Sequence, residues 1–163
     1  EYFGMGADEI MQGIRAFLPT KMRMNVVRCK GDIVILNDAY NANPQSMRAA
    51  AAVLADAKGR RRVAVVGDMK ELGPNSRLFH TAVGGYFAEA GIERLIAVGD
   101  HARFMAEGAQ AKGLPQVSYF ESIDDAKDAL LRELRSGTTI LVKASRSMAF
   151  ERIVNFLLAN VEQ

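Results

Sequence analysis

Short runs of β-branched and other apolar residues alternate along the chain with longer segments in which apolar residues recur every three or four positions. The first pattern predicts buried strands, and the second predicts helices with one apolar face turned inward. The predicted strands are residues 32–37, 62–66, 95–98, 117–120 and 138–142, and the predicted helices are residues 8–17, 75–90 and 101–112, with three more that begin near Pro44, Ser122 and Phe150. This alternation predicts an α/β fold, a Rossmann-like three-layer αβα domain with a mainly parallel sheet of about six strands.

The spacing of apolar residues also predicts which side of each helix faces the core. The expected inward-facing residues are Met47, Ala50, Ala51, Leu54 and Ala55 in the second helix, Phe79, Val83, Tyr86 and Ala90 in the third, Ile123, Ala126, Leu130 and Leu134 in the fifth, and Phe150, Ile153, Val154, Leu157 and Val161 in the last. Residues 24–29 do not fit the alternation, and we expect a separate short strand there. Residues 1–22, whose helix should stop at Pro19, are predicted to be the tail of a preceding domain, which leaves residues 23–163 as the domain proper.

The composition is typical of a water-soluble globular protein, with 49% hydrophobic and 25% charged residues. A net charge of +2 is too small to indicate binding to nucleic acid or to a membrane surface, and no apolar run approaches the roughly 20 residues of a membrane span. One basic cluster, Lys58 with Arg60, Arg61 and Arg62, follows a predicted helix and is interpreted as its solvated end. Cys29 is the only cysteine, which excludes a disulfide within the chain and fits a reducing, cytoplasmic location.

Several common kinds of active site are missing from the sequence. No G-x-x-x-x-G-K-[ST] motif is present to hold the phosphates of ATP, and the glycines of residues 67–73 lack the G-x-G-x-x-G spacing. His80 and His101 are the only histidines and lie far apart in sequence, so no metal-ligand spacing is visible. No nucleophile elbow is present either. The sequence therefore gives little support to a dinucleotide-dependent enzyme, a hydrolase or a metal site in this chain.

Polar residues collect in the loop between the strand at residues 32–37 and the helix that follows it. In mainly parallel sheets, ligands bind beyond the carboxyl ends of the strands. This loop holds Asp38, Tyr40, Asn41 and Asn43. A carboxylate can accept hydrogen bonds from ribose hydroxyls, an aromatic ring can stack, and amides can donate or accept, which together suit a nucleoside. The alternative is purely structural, with Asn43 capping the helix while Asn41 and Asp38 form an Asx turn.

Two later strands end in the same three residues, Val66-Gly67-Asp68 and Val98-Gly99-Asp100. A glycine permits a sharp exit from a strand, and an aspartate can cap the helix that follows. Each of the two aspartates is therefore a candidate cap for its own next helix, and we attribute the likeness to these local requirements and not to an ancestral repeat.

Three stretches together resemble the C-terminal domain of the Mur ligase family. They are DAYNANPQSM at residues 38–47, VVGDMKELG at residues 65–73 with His80 following, and ILVKASRS at residues 140–147. They stand in the family's order and at its spacing, and the resemblance extends over the whole chain. Within the family, they are most similar to the ligases that add D-alanyl-D-alanine.

The resemblance implies an enzyme, an ATP-dependent peptide ligase of peptidoglycan synthesis, of which this chain is one domain that is inactive alone. Such ligases are cytoplasmic proteins of three domains, and the central domain carries the P-loop and the ligands of Mg²⁺. ATP phosphorylates the carboxylate of UDP-N-acetylmuramoyl-tripeptide, and the amine of D-alanyl-D-alanine then attacks the acyl phosphate. These three compounds are the implied partners, Mg²⁺ is the implied cofactor, and we expect a monomer.

The resemblance also assigns residues to the nucleotide. Family members carry an arginine 15 positions before the ribose-binding aspartate, and counting back from Asp38 gives Arg23. Arg23 is implied to reach the phosphates of ATP and to act in catalysis, because a guanidinium stays charged and binds phosphate oxygens through two N–H groups. Asp38 is implied to hold the ribose, and Tyr40, Asn41 and Asn43 are implied to line the adenosine.

The third stretch resembles the loop that meets the incoming amino component in related ligases. Its residues Lys143, Ser145 and Arg146 are implied to bind substrate, with Arg146 pairing the terminal carboxylate of D-alanyl-D-alanine. The alternative is that Ser145 or Ser147 caps the last helix. The family usually has glycine at the position of Ala144, and alanine would be strained there if the backbone had a positive φ.

Asp68, Glu71 and His80 of the second stretch are candidates for contact with the substrate, with no role fixed for any of them. For His80, a structural role is the alternative.

Two other functions of the chain remain open. One is another Mur or folylpolyglutamate-type ligase, although the second and third stretches argue against it. The other is a stand-alone nucleotide-binding module without catalysis.

Overall fold

The computed structural model describes residues 4–16, 22–57 and 60–161. Helix α1 (Ala7–Ala16) confirms the predicted first helix up to that residue. Its predicted stop at Pro19 lies outside the described residues, as does Lys58 of the basic cluster.

One sheet contains all six strands of the described residues. The strands are β1 Asn25–Cys29, β2 Ile33–Asn37, β3 Arg61–Gly67, β4 Arg94–Val98, β5 Gln116–Phe120 and β6 Thr138–Lys143. Their order is β1-β2-β6-β3-β4-β5, and every neighbouring pair is parallel except β1 and β2. The predicted strand near residues 24–29 is confirmed, but it is not separate, because β1 pairs antiparallel with β2 at the edge of the same sheet. Its alternately half-buried and exposed side chains suit a strand covered on one face.

Helices cover both faces of the sheet, as the alternation predicts. They are α2 Pro44–Ala55, α3 Ser76–Glu89, α4 Ala102–Ala111, α5 Ile123–Leu131 and α6 Glu151–Val161. One core joins α2, α3 and α4 to Leu36 and Val66, and the other joins α5 and α6 to Ile35 and Val65. Consecutive strand residues enter different cores because strand side chains alternate between faces. The predicted three-layer αβα architecture is confirmed, and no described helix is long and apolar enough to cross a membrane.

The predicted inward faces hold for most of α2 and α6 and in part for α3, whose predicted Val83 is buried and whose predicted Phe79, Tyr86 and Ala90 pack against the core. The residues that α3 buries are His80, Val83, Gly84, Gly85 and Phe87, whereas the predicted Phe79 and Tyr86 are half-buried. A Cβ added to Gly84 would lie 1.9 Å from the carbonyl oxygen of Met105, and one added to Gly108 would lie 2.0 Å from that of Thr81. Helices α3 and α4 therefore touch backbone to backbone, and this contact buries a neighbouring side of α3 that its apolar spacing does not indicate. The predicted core residue Leu134 lies beyond the end of α5.

The arginines of the basic cluster are ion-paired at the start of the sheet, so their interpretation as a solvated helix end is wrong. The pairs are Arg60 with Asp32 at 2.8 Å, Arg61 with Glu133 at 2.9 Å and Arg62 with Glu93 at 2.8 Å. Burial raises the pKa of the Glu93 carboxyl, but the hydrogen bonds and charge of Arg62 outweigh burial and bring that pKa below its usual value. These pairs anchor the amino ends of the strands, at the edge opposite the loops described next.

Candidate functional site

The loops after β2, β6 and β3 lie side by side because these three strands are neighbours in the sheet. Hydrogen bonds join the loops to one another. The amide of Asp38 donates to the carbonyl oxygen of Val142 at 2.9 Å, and the amide of Ser145 donates to that of Asp68 at 3.0 Å. The Ser145 hydroxyl also accepts from the amide of Lys70 at 2.9 Å. The three stretches singled out in the sequence thus form one edge of the sheet.

The carboxylate of Asp38 is held at both oxygens. Its Oδ2 accepts from Nζ of Lys143 at 2.5 Å, and its Oδ1 accepts from the amide of Met24 at 3.0 Å. Lys143 donates a second hydrogen bond to the carbonyl oxygen of Asn41 at 2.8 Å. The Asp38 side chain keeps 15% of its surface exposed, against 3% for Lys143. The aspartate expected at the ribose and the lysine expected at the incoming amine are therefore partners in one ion pair.

Arg23 lies over the ring of Tyr40, with its guanidinium carbon 4.4 Å from the ring centroid. The amide of Tyr40 donates to the carbonyl oxygen of Met22 at 3.0 Å, which ties the segment around Arg23 to the turn after β2. Met22 and Met24 have positive φ angles of 62° and 48°. Such angles cost a non-glycine residue about 1–3 kcal/mol and cluster at functional sites. The fold therefore holds Arg23 beside Tyr40 and Asp38 in a strained segment.

These residues line a space of about 340 Å³, which we call the first cleft. Its lining includes Arg23, Met24, Asp38, Tyr40, Asn41, Asn43, Ala49, Val53 and Lys143. The Asp38–Lys143 pair makes one end polar, and Ala49 and Val53 of α2 make an apolar wall. An apolar wall with a few placed polar groups is typical of small-molecule sites. The sequence analysis did not predict this wall. The one available signal is Val53, an apolar residue that lies outside the core face of its helix and is 43% exposed.

Both asparagines of the first cleft already have local partners. Asn43 caps α2, since its side chain accepts from the amide of Ser46 at 2.8 Å while the Ser46 hydroxyl accepts from the amide of Asn43 at 3.1 Å. The side-chain oxygen of Asn41 accepts from the next amide at 2.8 Å. The Asx turn expected of Asp38 is made instead by Asn37, whose side chain accepts from the amide two residues on. The capping role of Asn43 is thus confirmed.

A second cleft of about 470 Å³ shares Tyr40 and Asn41 with the first. Its other lining residues are Lys70, Glu71, Ser145, Arg146 and Ser147. Arg146 is half-exposed, and its Nη1 lies 2.8 Å from each carboxylate oxygen of Glu151. This hydrogen bonding is the main cause of a Glu151 pKa below the usual value. Glu71 is exposed, with a positive φ of 63°. The second cleft therefore presents charges of both signs.

The loop after β6 differs from its prediction in two ways. Helix α6 begins at Glu151, after a separate 3-10 turn at Arg146–Met148. Ser145 precedes that turn and Ser147 lies inside it, so the alternative in which one of them caps the last helix is wrong. Ala144 is fully buried and does not have a positive φ, and the left-handed residue of this loop is Ala149, with φ of 50°. The strain considered for Ala144 is therefore absent.

Asp68 is buried and holds the start of a helix. Its Oδ1 accepts from the amides of His101 and Ala102 at 2.9 and 2.8 Å, and its Oδ2 accepts from Nζ of Lys70 at 2.8 Å. Only 1% of Asp68 is exposed. The prediction that each repeated aspartate caps its own next helix is wrong. Asp68 accepts hydrogen bonds from the start of α4, the helix that follows the neighbouring strand β4, and Asp100 is exposed. The structure does not bring Asp68 to the open part of either cleft.

His80 is fully buried, with backbone groups at both ring nitrogens. Its Nε2 lies 3.0 Å from the amide of Met69, and its Nδ1 lies 2.7 Å from the carbonyl oxygen of Ser76. This geometry fits the neutral ring, with Nδ1–H donating and Nε2 accepting. Burial lowers the pKa of His80, and the bond to Ser76 offsets only part of that effect. His80 therefore has the structural role and supports the Asp68 loop from behind.

Comparison with known proteins agrees with this geometry. A model of the family described as Mur ligase, glutamate ligase domain, matches residues 22–146. The UDP-N-acetylmuramoyl-tripeptide–D-alanyl-D-alanine ligases of Bacillus subtilis and Escherichia coli are 34% and 36% identical over 159 residues, which is 96% of this chain. A crystal structure of MurF from Acinetobacter baumannii is 30% identical, with a TM-score of 0.86 over 96% of this chain. The chain spans about a third of each of these proteins, namely 35%, 34% and 35%. Because the matched region covers most of the chain and runs from the first cleft to the second, the chain belongs to the Mur ligase family.

Proposed function

We propose that this chain is the C-terminal domain of an ATP-dependent ligase that joins D-alanyl-D-alanine to UDP-N-acetylmuramoyl-tripeptide in peptidoglycan synthesis. The observation that carries the proposal is the pair of clefts that share Tyr40 and Asn41 at one sheet edge. One cleft has the groups that suit a nucleoside, and the other has a guanidinium that suits a carboxylate. The names of the relatives supply the reaction and its substrates. The sequence contains no P-loop, so we assign activity to the complete protein and none to this chain alone.

In the first cleft, we assign the ribose to Asp38 and the ATP phosphates to Arg23. Each carboxylate oxygen has two lone pairs, so Asp38 can accept from ribose hydroxyls while keeping its two protein partners. Nucleotide binding exchanges the contact of Arg23 with Tyr40, worth about 0.5–1 kcal/mol at an exposed site, for charged hydrogen bonds worth about 1.5–3 kcal/mol. The exchange is therefore favourable. Asn41 and Asn43 line the adenosine with Tyr40.

In the second cleft, we assign the terminal carboxylate of D-alanyl-D-alanine to Arg146. Its present partner Glu151 is 30% exposed, and an accessible ion pair contributes under about 1 kcal/mol. A substrate carboxylate can therefore compete with Glu151 for the guanidinium. Glu71 faces the same cleft and is the second charged group available to the dipeptide. Ser145 orders the loop through its bond from the amide of Lys70.

The proposed reaction has two steps. A carboxylate oxygen of the tripeptide attacks the γ-phosphorus of ATP, and ADP leaves. The amine nitrogen of the dipeptide then attacks the acyl carbon, loses a proton and displaces phosphate as the amide forms. The role of this chain is to bring Arg23 to the transferring phosphoryl group, where a fixed cation stabilises the developing charge.

The described residues include no group of three or more histidine, cysteine, aspartate or glutamate side chains suited to a metal ion. We therefore assign the ligands of Mg²⁺ to a preceding ATPase domain and place residues 1–22 at its end. The exposure of Met5, Ile10 and Met11 supports this assignment, since apolar side chains of that size are usually covered. We further propose a cytoplasmic monomer.

The test is an assay of ADP release and amide formation by the complete protein, supplied with ATP, Mg²⁺, the UDP-linked tripeptide and one amine component at a time. We expect product with D-alanyl-D-alanine and none with D-glutamate or a diamino acid. Arg146→Ala should raise the KM of the dipeptide and leave that of ATP unchanged. Arg152→Ala is the matched control, an exposed arginine of α6 that lies 3.8 Å from a carboxylate oxygen of Asp124. Product with a different amine alone would refute the substrate assignment.

A further inference from the structure

Lys143 ends a strand whose six residues are all buried. Its side chain is 3% exposed, and its ammonium contacts the carboxylate of Asp38 and the carbonyl oxygen of Asn41. An ammonium in such a place is strongly destabilising without its partners. Lys143 lines the first cleft and is not among the residues of the second. A dipeptide in the second cleft would have to displace Asp38 or Asn41 to reach it.

Resting on the proposed function, we infer that Lys143 is a positioning residue for the nucleotide and does not bind D-alanyl-D-alanine. One ammonium bridges the two ends of the turn that begins at Asp38 and ends at Asn41, and Tyr40 lies within that turn. From the other side, the amide of Met24 holds the second oxygen of Asp38. The carboxylate is therefore oriented before the ribose arrives, and binding then requires little reorganisation.

Charge gives Lys143 a second effect on the same ligand. The charged residues that line the first cleft are Asp38, Arg23 and Lys143, so the lining carries one net positive charge. Removing the ammonium would leave a carboxylate with 15% of its side chain exposed beside the phosphates of ATP. Like charges at close range disfavour binding, and the effect grows in a partly desolvated site. Loss of Lys143 should therefore weaken the binding of adenosine through orientation and that of ADP by more, through orientation and charge.

The experiment is a double-mutant cycle in the complete ligase, with ADP binding measured by calorimetry and adenosine and ADP tested as inhibitors. Lys143→Met should weaken adenosine about fivefold or more and ADP about tenfold or more, as expected for one charge-assisted hydrogen bond. In the Asp38→Asn background, the same change should add less than about twofold to the weakening of adenosine, because the orienting effect of Lys143 acts through Asp38. The KM of ATP should rise while that of the dipeptide stays within about twofold. Lys112→Met, which breaks an exposed pair with Glu89, should change none of these values.

Four results would overturn the inference. They are unchanged ADP binding in Lys143→Met, loss of ADP binding with adenosine unaffected, an effect on adenosine that persists in full in Asp38→Asn, and a rise in the dipeptide KM alone. If Lys143→Met does not fold, Lys143→Gln replaces it, since its amide still donates to Asp38, and a smaller loss of the same pattern is expected. A wild-type protein that binds ADP but makes no product with D-alanyl-D-alanine would refute the proposed function and leave the calorimetric cycle able to decide the role of Lys143.

Discussion

Two lysine–aspartate pairs occupy neighbouring loops at the same sheet edge, with opposite exposures. In the pair of Lys143 with Asp38, the lysine side chain is 3% exposed and the aspartate 15%. In the pair of Lys70 with Asp68, the lysine is 41% exposed and the aspartate 1%. Asp68 accepts hydrogen bonds from two amides at the start of α4, those of His101 and Ala102, and from its lysine, whereas Asp38 retains an accessible side. The same two residue types are thus arranged for different purposes.

The difference teaches that the burial of each partner decides what an ion pair does. A buried carboxylate at the start of a helix satisfies free amides and the positive end of the helix dipole, so it stabilises the fold. A partly accessible carboxylate held by a buried ammonium is already oriented for a ligand. We therefore expect Asp68 to matter in unfolding experiments and Asp38 chiefly in nucleotide binding, with Asp68 nearly silent in the binding assay.

The largest expected effect is the loss of stability in Asp68→Ala. This change leaves the amides of His101 and Ala102 without their acceptor, and a lost helix cap with a buried unsatisfied donor costs roughly 2–4 kcal/mol. Urea unfolding followed by circular dichroism measures it. Asp100→Ala is the matched control, because Asp100 ends the same three-residue sequence but is exposed, and a change below about 0.5 kcal/mol is expected. Equal losses in the two variants would contradict the comparison.

The next effect is in nucleotide binding by Asp38→Asn. The amide oxygen can serve only one of the two donors, Met24 N–H and the ammonium of Lys143, and the buried ammonium loses its counter-charge, so some stability is lost as well and the KM values are measured on variant protein shown to be folded. A charged hydrogen bond to ribose contributes about 1.5–3 kcal/mol, so the KM of ATP should rise about 10- to 100-fold in the complete ligase. Steady-state kinetics with ATP and then the dipeptide as the varied substrate give the two KM values. The opposite pattern, a large loss of stability with an unchanged ATP KM, would exchange the roles of Asp38 and Asp68.

The layered fold was predictable because apolar periods are local properties of the sequence. Two departures from the prediction, the pairing of β1 and the buried face of α3, have tertiary causes. β1 depends on the free edge of β2, and the buried face of α3 depends on the approach of Gly84 and Gly108 to neighbouring backbone. No count of apolar residues in one segment contains that information.

The site was predictable in part for the same reason. Asp38 directly follows a buried strand, so its place at the sheet edge follows from sequence. Its partner Lys143 is 105 positions away and reaches it only because β2 and β6 are neighbours. One sequence sign was available, since a lysine at the end of an apolar strand requires a counter-charge. The burial of Asp68 could not be predicted from the sequence. Its partners are backbone amides at the start of α4, and the pattern of side-chain types does not show which backbone amides lie near a given carboxylate.

A smaller effect concerns the segment tied to the Asp38 loop. Arg23→Ala should lower kcat at least about tenfold, which is about 1.4 kcal/mol, because the role proposed for Arg23 is to meet charge that develops on the phosphoryl group. The affinity for ATP should change less. Arg23→Lys should recover part of the loss, since lysine keeps the charge without the planar fork. Arg28→Ala is the control, an exposed arginine on β1. Similar kinetics for Arg23→Ala and Arg28→Ala would show that this segment takes no part in the reaction.

The smallest effect is a response of the Asp68 loop to mild acid that the Asp38 loop should not share. Nε2 of His80 accepts from the amide of Met69, and burial holds the pKa of His80 below its usual value near 6.5. The unfolded chain therefore takes up a proton first as the pH falls. The stability from the neutral ring is fully present above about pH 6.5, declines below that pH and levels off once the folded pKa is passed. Unfolding free energies between about pH 7.5 and 5.5 should show this slope. Hydrogen exchange should show falling protection at Met69 and steady protection at Tyr40.

Two variants test the assignment to His80. His80→Gln should flatten the slope of unfolding free energy against pH, whereas His101→Gln should keep that slope because the buried ring of His80 remains. A slope that survives in His80→Gln would mean that another group links this part of the fold to pH.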